Sequence, residues 1–143
     1  MQIVKVYFDG SCHNTGNKSN VLGAGVVAFL AGTPIEEGSY CGSYLGTVTD
    51  AEWYALEKAV ELATQLHKDN PNVLFTFLGD NQSVVYSIMG KYKVRGRFIE
   101  VYNRVLKLLD SLPLYNFKWI PREHNTYADD LSKHGREKFY KSR

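Results

Sequence analysis

Two rhythms of apolar and polar positions run along the chain. Residues 2–9 carry β-branched and aromatic side chains (Ile3, Val4, Val6, Tyr7, Phe8) up to Asp9-Gly10-Ser11, and predict a buried strand that ends at the acid. Ser11 to Asn20 is polar and turn-rich and predicts a surface loop. Val21 to Leu30 predicts a second strand, whose Gly23 and Gly25 allow bulging or close packing. Gly32-Thr33-Pro34 predicts a turn and Ile35 to Gly46 a third strand, which together make an antiparallel meander.

The rhythm then changes to a helical one. Apolar residues at 51, 55, 56, 59, 60, 62, 63 and 66 predict a helix over Thr49 to Lys68, stopped by Asn70-Pro71-Asn72. Val73 to Leu78 is a nearly continuous apolar run, expected near the centre of a sheet and closed by Gly79-Asp80-Asn81. A short helix over Gln82 to Met89, a basic loop over Gly90 to Gly96 and a strong amphipathic helix over Phe98 to Leu112 follow. Tyr115 to Ile120 predicts the last strand and Thr126 to about Tyr140 the last helix.

The order β-β-β-α-β-α-α-β-α predicts an α/β fold on a mixed sheet, with the first, fourth and fifth strands parallel and joined by helical crossovers. Functional groups in open α/β sheets gather beyond the carboxyl ends of parallel strands. Asp9 and Asp80 both stand there. If their strands are neighbours, the two carboxylates share one rim about 5 Å apart.

The 143 residues, 44% of them hydrophobic, suit a single domain over residues 1–143. No segment approaches the roughly 20 apolar residues of a membrane span, so no membrane partner is expected. A chain opening directly on a strand is expected to carry no signal peptide. Cys12 and Cys41 have no metal spacing and imply no disulfide framework. Free thiols, a cytoplasmic location and action as a monomer are the expectation. A formal net charge of +2 is compatible with a polyanionic partner without requiring one.

Four acids stand at element ends. Asp9 and Asp80 end strands, and Glu52 and Asp129 begin helices. Taken singly, each has a structural explanation. Asp9-Gly10 fits a turn, Thr49-Asp50-Ala51-Glu52 fits a capping box, and Asp129 complements a helix dipole, with Asp130 its solvent-side neighbour. Taken together, carboxylates gathered on one rim repel one another unless a cation neutralises them. Oxygen ligands without a Cys or His cluster point to Mg²⁺, with Mn²⁺ as a substitute. Two such ions can activate a water and stabilise the leaving oxygen in phosphodiester hydrolysis.

The segments Asp9-Gly10-Ser11, Ala51-Glu52-Trp53-Tyr54-Ala55-Leu56, Gly79-Asp80-Asn81-Gln82 and Pro121 to Ser132 resemble, in order and spacing, the motifs of the type 1 branch of the ribonuclease H family. Each is weak alone; the set is specific and covers essentially the whole chain. The resemblance implies a five-stranded mixed sheet, three antiparallel strands and then parallel ones, with helices on both faces. It implies Mg²⁺-dependent endonucleolytic cutting of the RNA strand of RNA/DNA hybrids, leaving 5′-phosphate and 3′-hydroxyl ends. It places two metal ions on Asp9, Glu52, Asp80 and Asp129, with Asp9 bridging them.

The resemblance also implies substrate contacts. Asn14 and Gln82 resemble side chains that read the minor groove of the hybrid, and Thr47 a threonine of a DNA-phosphate pocket. Asn81 stands where serine is common and keeps a hydrogen-bonding side chain. Arg122 stands where a compact subgroup has arginine and is expected near the scissile phosphate; His124 beside it reads as a solvated loop residue. Backbone groups at Gly10, Ser11 and Cys12, with Glu52, could sense the 2′-hydroxyl that distinguishes RNA from DNA. In place of the family's long basic handle there is a compact loop with Lys91, Tyr92, Lys93, Arg95 and Arg97. Its cations suit phosphates and its aromatic a sugar or base. Lys133, Arg136, Lys138, Lys141 and Arg143 read as a solvated helix face.

Three other readings are weaker. A catalytically inactive binding module of the same fold would have no reason to keep four mutually repelling acids. A 3′→5′ exonuclease of related fold wants Asp-x-Glu in the first strand, where Ser11 stands. A sugar-kinase-type ATPase needs two such domains.

Overall fold

The computed structural model describes residues 1–14, 20–44 and 46–141, without the side chains of residues 14, 43 and 44. The elements in chain order are β1 (Gln2–Asn14), β2 (Asn20–Leu30), β3 (Thr33–Tyr44), α1 (Val48–Asp69), β4 (Val73–Gly79), α2 (Gln82–Ile88), α3 (Phe98–Leu109), β5 (Tyr115–Trp119) and α4 (Thr126–Lys141). One sheet runs β3-β2-β1-β4-β5. β1, β2 and β3 are antiparallel neighbours, and β4 lies parallel to both β1 and β5. The expected mixed five-stranded sheet is the one observed, and β1 and β4 are neighbours.

Several boundaries differ from the sequence reading. β1 does not end at Asp9: residues 10–14 stay paired with β2, Ser11 opposite Gly23 and Cys12 opposite Leu22. Polar residues tolerate this extension because β2 supplies their backbone partners. The first turn falls at Ala31-Gly32, both at positive φ, as a two-residue hairpin turn demands. Thr33 and Pro34 already belong to β3, next to a register shift that suits proline. α3 stops at Leu109, not Leu112.

Apolar faces explain the layering. Val4, Val6 and Phe8 of β1, Ala24, Val26 and Ala28 of β2 and Phe75 and Phe77 of β4 are buried in one core with α1. Ala51, Ala55, Ala59 and Ala63 recur every fourth residue and are all buried, so α1 beds closely on the sheet. α3 adds Val105 and Leu109 to this core. α4 lies against the other face, over β2, β3 and β1. Helices thus cover both faces. Among the described residues no helix is long and apolar enough to cross a membrane.

α4 comes close enough to β2 that no side chain fits between them at Gly25. A Cβ there would stand 2.2 Å from the carbonyl oxygen of Ala128 and 2.5 Å from the amide nitrogen of Ser132. Both neighbours are helix backbone and can yield only by lifting α4. Gly25→Ala is expected to cost about 2 kcal/mol or more. Urea unfolding should show a lower midpoint at an unchanged slope.

Candidate active site

The β1–β4 register sets Tyr7 opposite Leu78. Carried on by two residues, it brings Asp9 level with Asp80. Antiparallel pairing sets Asp9 opposite Gly25, so Asp9 shares the sheet face that α4 covers. Gly10 points to the other face, where a Cβ would stand 2.3 Å from the backbone of Ala51. That bare approach lets the Gly10 amide donate to Glu52 Oε1 at 3.1 Å. Glu52 is 3% exposed and leans over the rim to the other acids. One carboxylate oxygen from each of Asp9, Glu52 and Asp80 falls in a cluster whose atoms all lie within 4.8 Å of one another. Asp129, on the first turn of α4, lines the same cavity and stands close enough to Asp9 for the two carboxyl groups to interact.

The capping explanation for Glu52 does not hold. The capping box of α1 is Thr47 with Asp50: Asp50 N–H donates to Thr47 Oγ1, and Thr47 N–H donates to Asp50 Oδ2 at 2.7 Å. The helix begins one residue earlier than the sequence suggested, and Glu52 is left free to face inward.

Asn125 holds the arrangement together. It is 1% exposed. The β1–β4 pairing ends at Tyr7 opposite Leu78, one residue before Phe8, whose carbonyl is met by a side chain. Asn125 Nδ2 donates to that carbonyl at 2.9 Å and to Asp80 Oδ2 at 3.0 Å. Trp119 Nε1 donates to the Asp80 carbonyl at 2.9 Å. Asp80 is thus fixed through both backbone and side chain, from β5 and from the turn before α4. Asn125 lies inside the Pro121 to Ser132 segment, and no local pattern in the sequence assigns it this task.

The electrostatics follow from crowding. Burial, then the charge of Glu52, raises the Asp9 carboxyl far above its ordinary 3.8. Burial also raises Glu52 from 4.5; hydrogen bonds from Asp9 and Gly10 offset part of this, and the Asp80 charge adds to it. Asp129 moves down despite some burial, because interaction with Asp9 and Lys133 favours its carboxylate and Lys133 and Arg122 lend positive charge. Lys133 Nζ lies 3.0 Å from Asp129 Oδ2. Glu52 Oε2 is buried and has no hydrogen-bond partner among the described residues. An all-oxygen donor set with an unused acceptor of this kind fits a hard divalent cation.

The acids line a cavity of about 430 Å³ together with Gly10, Ser11, Cys12, Asn81 and Arg122. Burial raises the Cys12 thiol. Asn81 caps α2 through Val84 N–H at 3.0 Å. Lys133 and Arg136 also line the cavity, against the expectation of a solvated face. Their offsets of four and seven from Asp129 put them on one stripe of α4, the signal the sequence offered. His124 lies apart, in a small cavity with Tyr7 and Phe29. Asp130 is exposed, as expected.

Other anticipated contacts lie outside this cavity. Thr47 is occupied with its own helix N-terminus, and Gln82 is exposed at the start of α2. Lys91 sits over the Tyr86 ring at 5.3 Å, and Tyr92 packs edge-on against the same ring. Lys93 and Arg95 are exposed. Arg97 reaches Asp50 Oδ2 at 2.8 Å, which ties the basic loop to the start of α1. The Asn14 side chain and Arg143 lie outside the described residues.

Two tests follow. The raised Asp9 value means that the folded metal-free protein keeps a proton that the unfolded chain releases above about pH 4. This group's contribution is therefore fullest at low pH and is lost as pH rises toward the folded value. Glu52 acts in the same sense and Asp129 in the opposite one. Asp9→Asn should raise the melting temperature in EDTA by several degrees at pH 7 and by less at pH 4, read by circular dichroism. Mg²⁺ should stabilise the wild type more than this variant. Asn125→Ala removes both of its bonds and should cost about 1–3 kcal/mol in denaturant unfolding.

The fold has counterparts. The chain superposes on LC11-RNase H1, isolated from compost by a metagenomic approach, with a TM-score of 0.86 and 26% identity, covering 98% of this chain and 99% of that one. It also superposes on the same protein solved in complex with an RNA/DNA hybrid, at TM-score 0.83 and 26% identity over 96% and 99% of the two chains. The N-terminal RNase H domain of a Mycobacterium tuberculosis protein matches at TM-score 0.79 and 26% identity over 97% and 98%. Residues 7–135 match the reverse transcriptase-like family, a span that holds all four acids. The chain belongs to that family, as a type 1 ribonuclease H of the compact form without the long basic handle.

Proposed function

We propose that this chain, acting as one domain and as a monomer in the cytoplasm, hydrolyses the RNA strand of RNA/DNA hybrids endonucleolytically with Mg²⁺, leaving 5′-phosphate and 3′-hydroxyl ends. The observation that carries the reading is the convergence of Asp9, Glu52 and Asp80 within 4.8 Å, with Asp129 lining the same cavity. The hybrid-bound relative supports the substrate class.

Asp9, Glu52, Asp80 and Asp129 would hold the cations. Divalent ions bound there would lower the pKa of a water so that it could give up a proton and attack phosphorus as hydroxide, and would neutralise charge on the departing 3′ oxygen. The protein's own part is preorganisation. Gly10 N–H fixes Glu52 and Asn125 fixes Asp80, so neither must be ordered when substrate arrives. Arg122 lines the cavity with a planar guanidinium, whose forked donors suit phosphate oxygens. The proton kept on the crowded Asp9–Glu52 pair leaves when cations bind, so loading is favoured as pH rises.

Asp80→Asn keeps the bond to Asn125 in reach but removes a ligand charge. It should lower Mg²⁺-dependent cleavage of a labelled hybrid by about a hundredfold or more, with melting in EDTA unchanged or raised. Full residual activity would refute the assignment. A wild-type protein that binds the hybrid without cutting it would favour an inactive binding module.

A further inference from the structure

Two buried donors beside the carboxylates lack a partner among the described residues: Ser11 Oγ and Arg136 Nε. Both residues line the carboxylate cavity. They meet over Gly23, which pairs with Ser11 in the β1–β2 ladder. A Cβ built at Gly23 would stand 2.7 Å from Arg136 Cγ and 3.0 Å from Ser11 Oγ. The Arg136 stem therefore lies on bare β2 backbone, and the residue lines the cavity with Ser11 and Cys12, where its charge is felt by the Cys12 thiol.

Lys133 pairs with Asp129, and the Arg122 charge acts on Glu52 and Asp129. Arg136 makes no ion pair among the described residues. A guanidinium offers five donors and no acceptor, and it stays charged. Holding one partly buried without a counter-charge is costly. Converging unsatisfied donors ask for an anionic acceptor. Arg136 stands two helical turns past Asp129, about 10 Å along α4, so it meets the strand beside the acids and not directly above them.

We propose that Arg136, with the Ser11 hydroxyl, is a substrate-binding pair that grips a phosphate of the RNA strand neighbouring the one held over the carboxylates. This rests on the nuclease reading. The contact is to backbone and carries no sequence preference. It sets affinity and register, not the chemical step.

The test compares wild type, Arg136→Gln, Arg136→Lys and Lys141→Ala on one short hybrid with Mg²⁺ across a salt series. Gln keeps the stem packed on β2 but removes the charge; Lys keeps the charge without the fork. Lys141→Ala removes an exposed charge of the same helix outside the cavity. Arg136→Gln should raise KM about tenfold, the scale of one charge-assisted contact, with kcat within about twofold. Its log KM against log salt should flatten by about 0.7–0.9, one phosphate contact. Lys should restore the slope and part of KM, and Lys141→Ala should match wild type. Unchanged KM and slope for Arg136→Gln, or a loss confined to kcat, overturns the proposal. If wild type leaves the hybrid uncut, the nuclease reading falls, and fluorescence anisotropy of the same hybrid decides the contact alone. Binding about tenfold weaker for Arg136→Gln supports it, and equal affinity overturns it.

Discussion

The structure depends on how closely α1 and β1 approach at Gly10. There the helix backbone sits where a side chain would otherwise be. That contact brings the Gly10 amide to Glu52 Oε1 and lets an acid from a helix over one sheet face join Asp9, which points to the other. The alanine stripe of α1 makes the approach possible by keeping the whole helix low on the sheet. Burial then does chemical work. It removes the water that would screen the carboxylates, so their repulsion is felt in full, and the metal-free site holds protons it would otherwise lose.

Repulsion of this kind would splay flexible side chains apart. Here the frame resists. The β1–β4 pairing ends one residue before Phe8, and the Phe8 carbonyl is met by Asn125, whose amide also holds Asp80. The residue that meets the sheet there is thus the one that orients a carboxylate. α4 brings Asp129 from the far face, pressed onto β2 at Gly25 and tied to the edge strand by Lys138 Nζ on the Ser39 carbonyl. Stability and site geometry share these contacts, so a change that lifts either helix acts on both.

Positive charge surrounds the acids at two distances. Arg122, Lys133 and Arg136 border the same cavity, while the basic loop stands on the α1 side and is anchored by Arg97 on Asp50. That pair joins the N-terminus of α1 to the start of α3. The capping residue Thr47 lies within the same set of contacts, since Arg97 reaches its hydroxyl at 3.5 Å. A compact loop can therefore hold a fixed place without a longer handle.

Periodicity and element-end acids made the sheet, its order and the four carboxylates legible, because these follow from local pattern and motif order. The end of β1, the start of α1 and the freedom of Glu52 from capping were not. Thr47-Val48-Thr49-Asp50 offers two threonines for one cap, and only the packed helix selects Thr47. Residues 10–14 look like loop until β2 pairs with them. The sequence alone determined which residue types could meet: oxygen ligands, a basic loop and an arginine before the last helix. Tertiary structure alone decided that Asn125 bridges Phe8 and Asp80 and that Arg136 lines the cavity. Both depend on where one strand outlasts its neighbour and on how near a helix can come to a strand without side chains, which are distances between segments that no local pattern encodes.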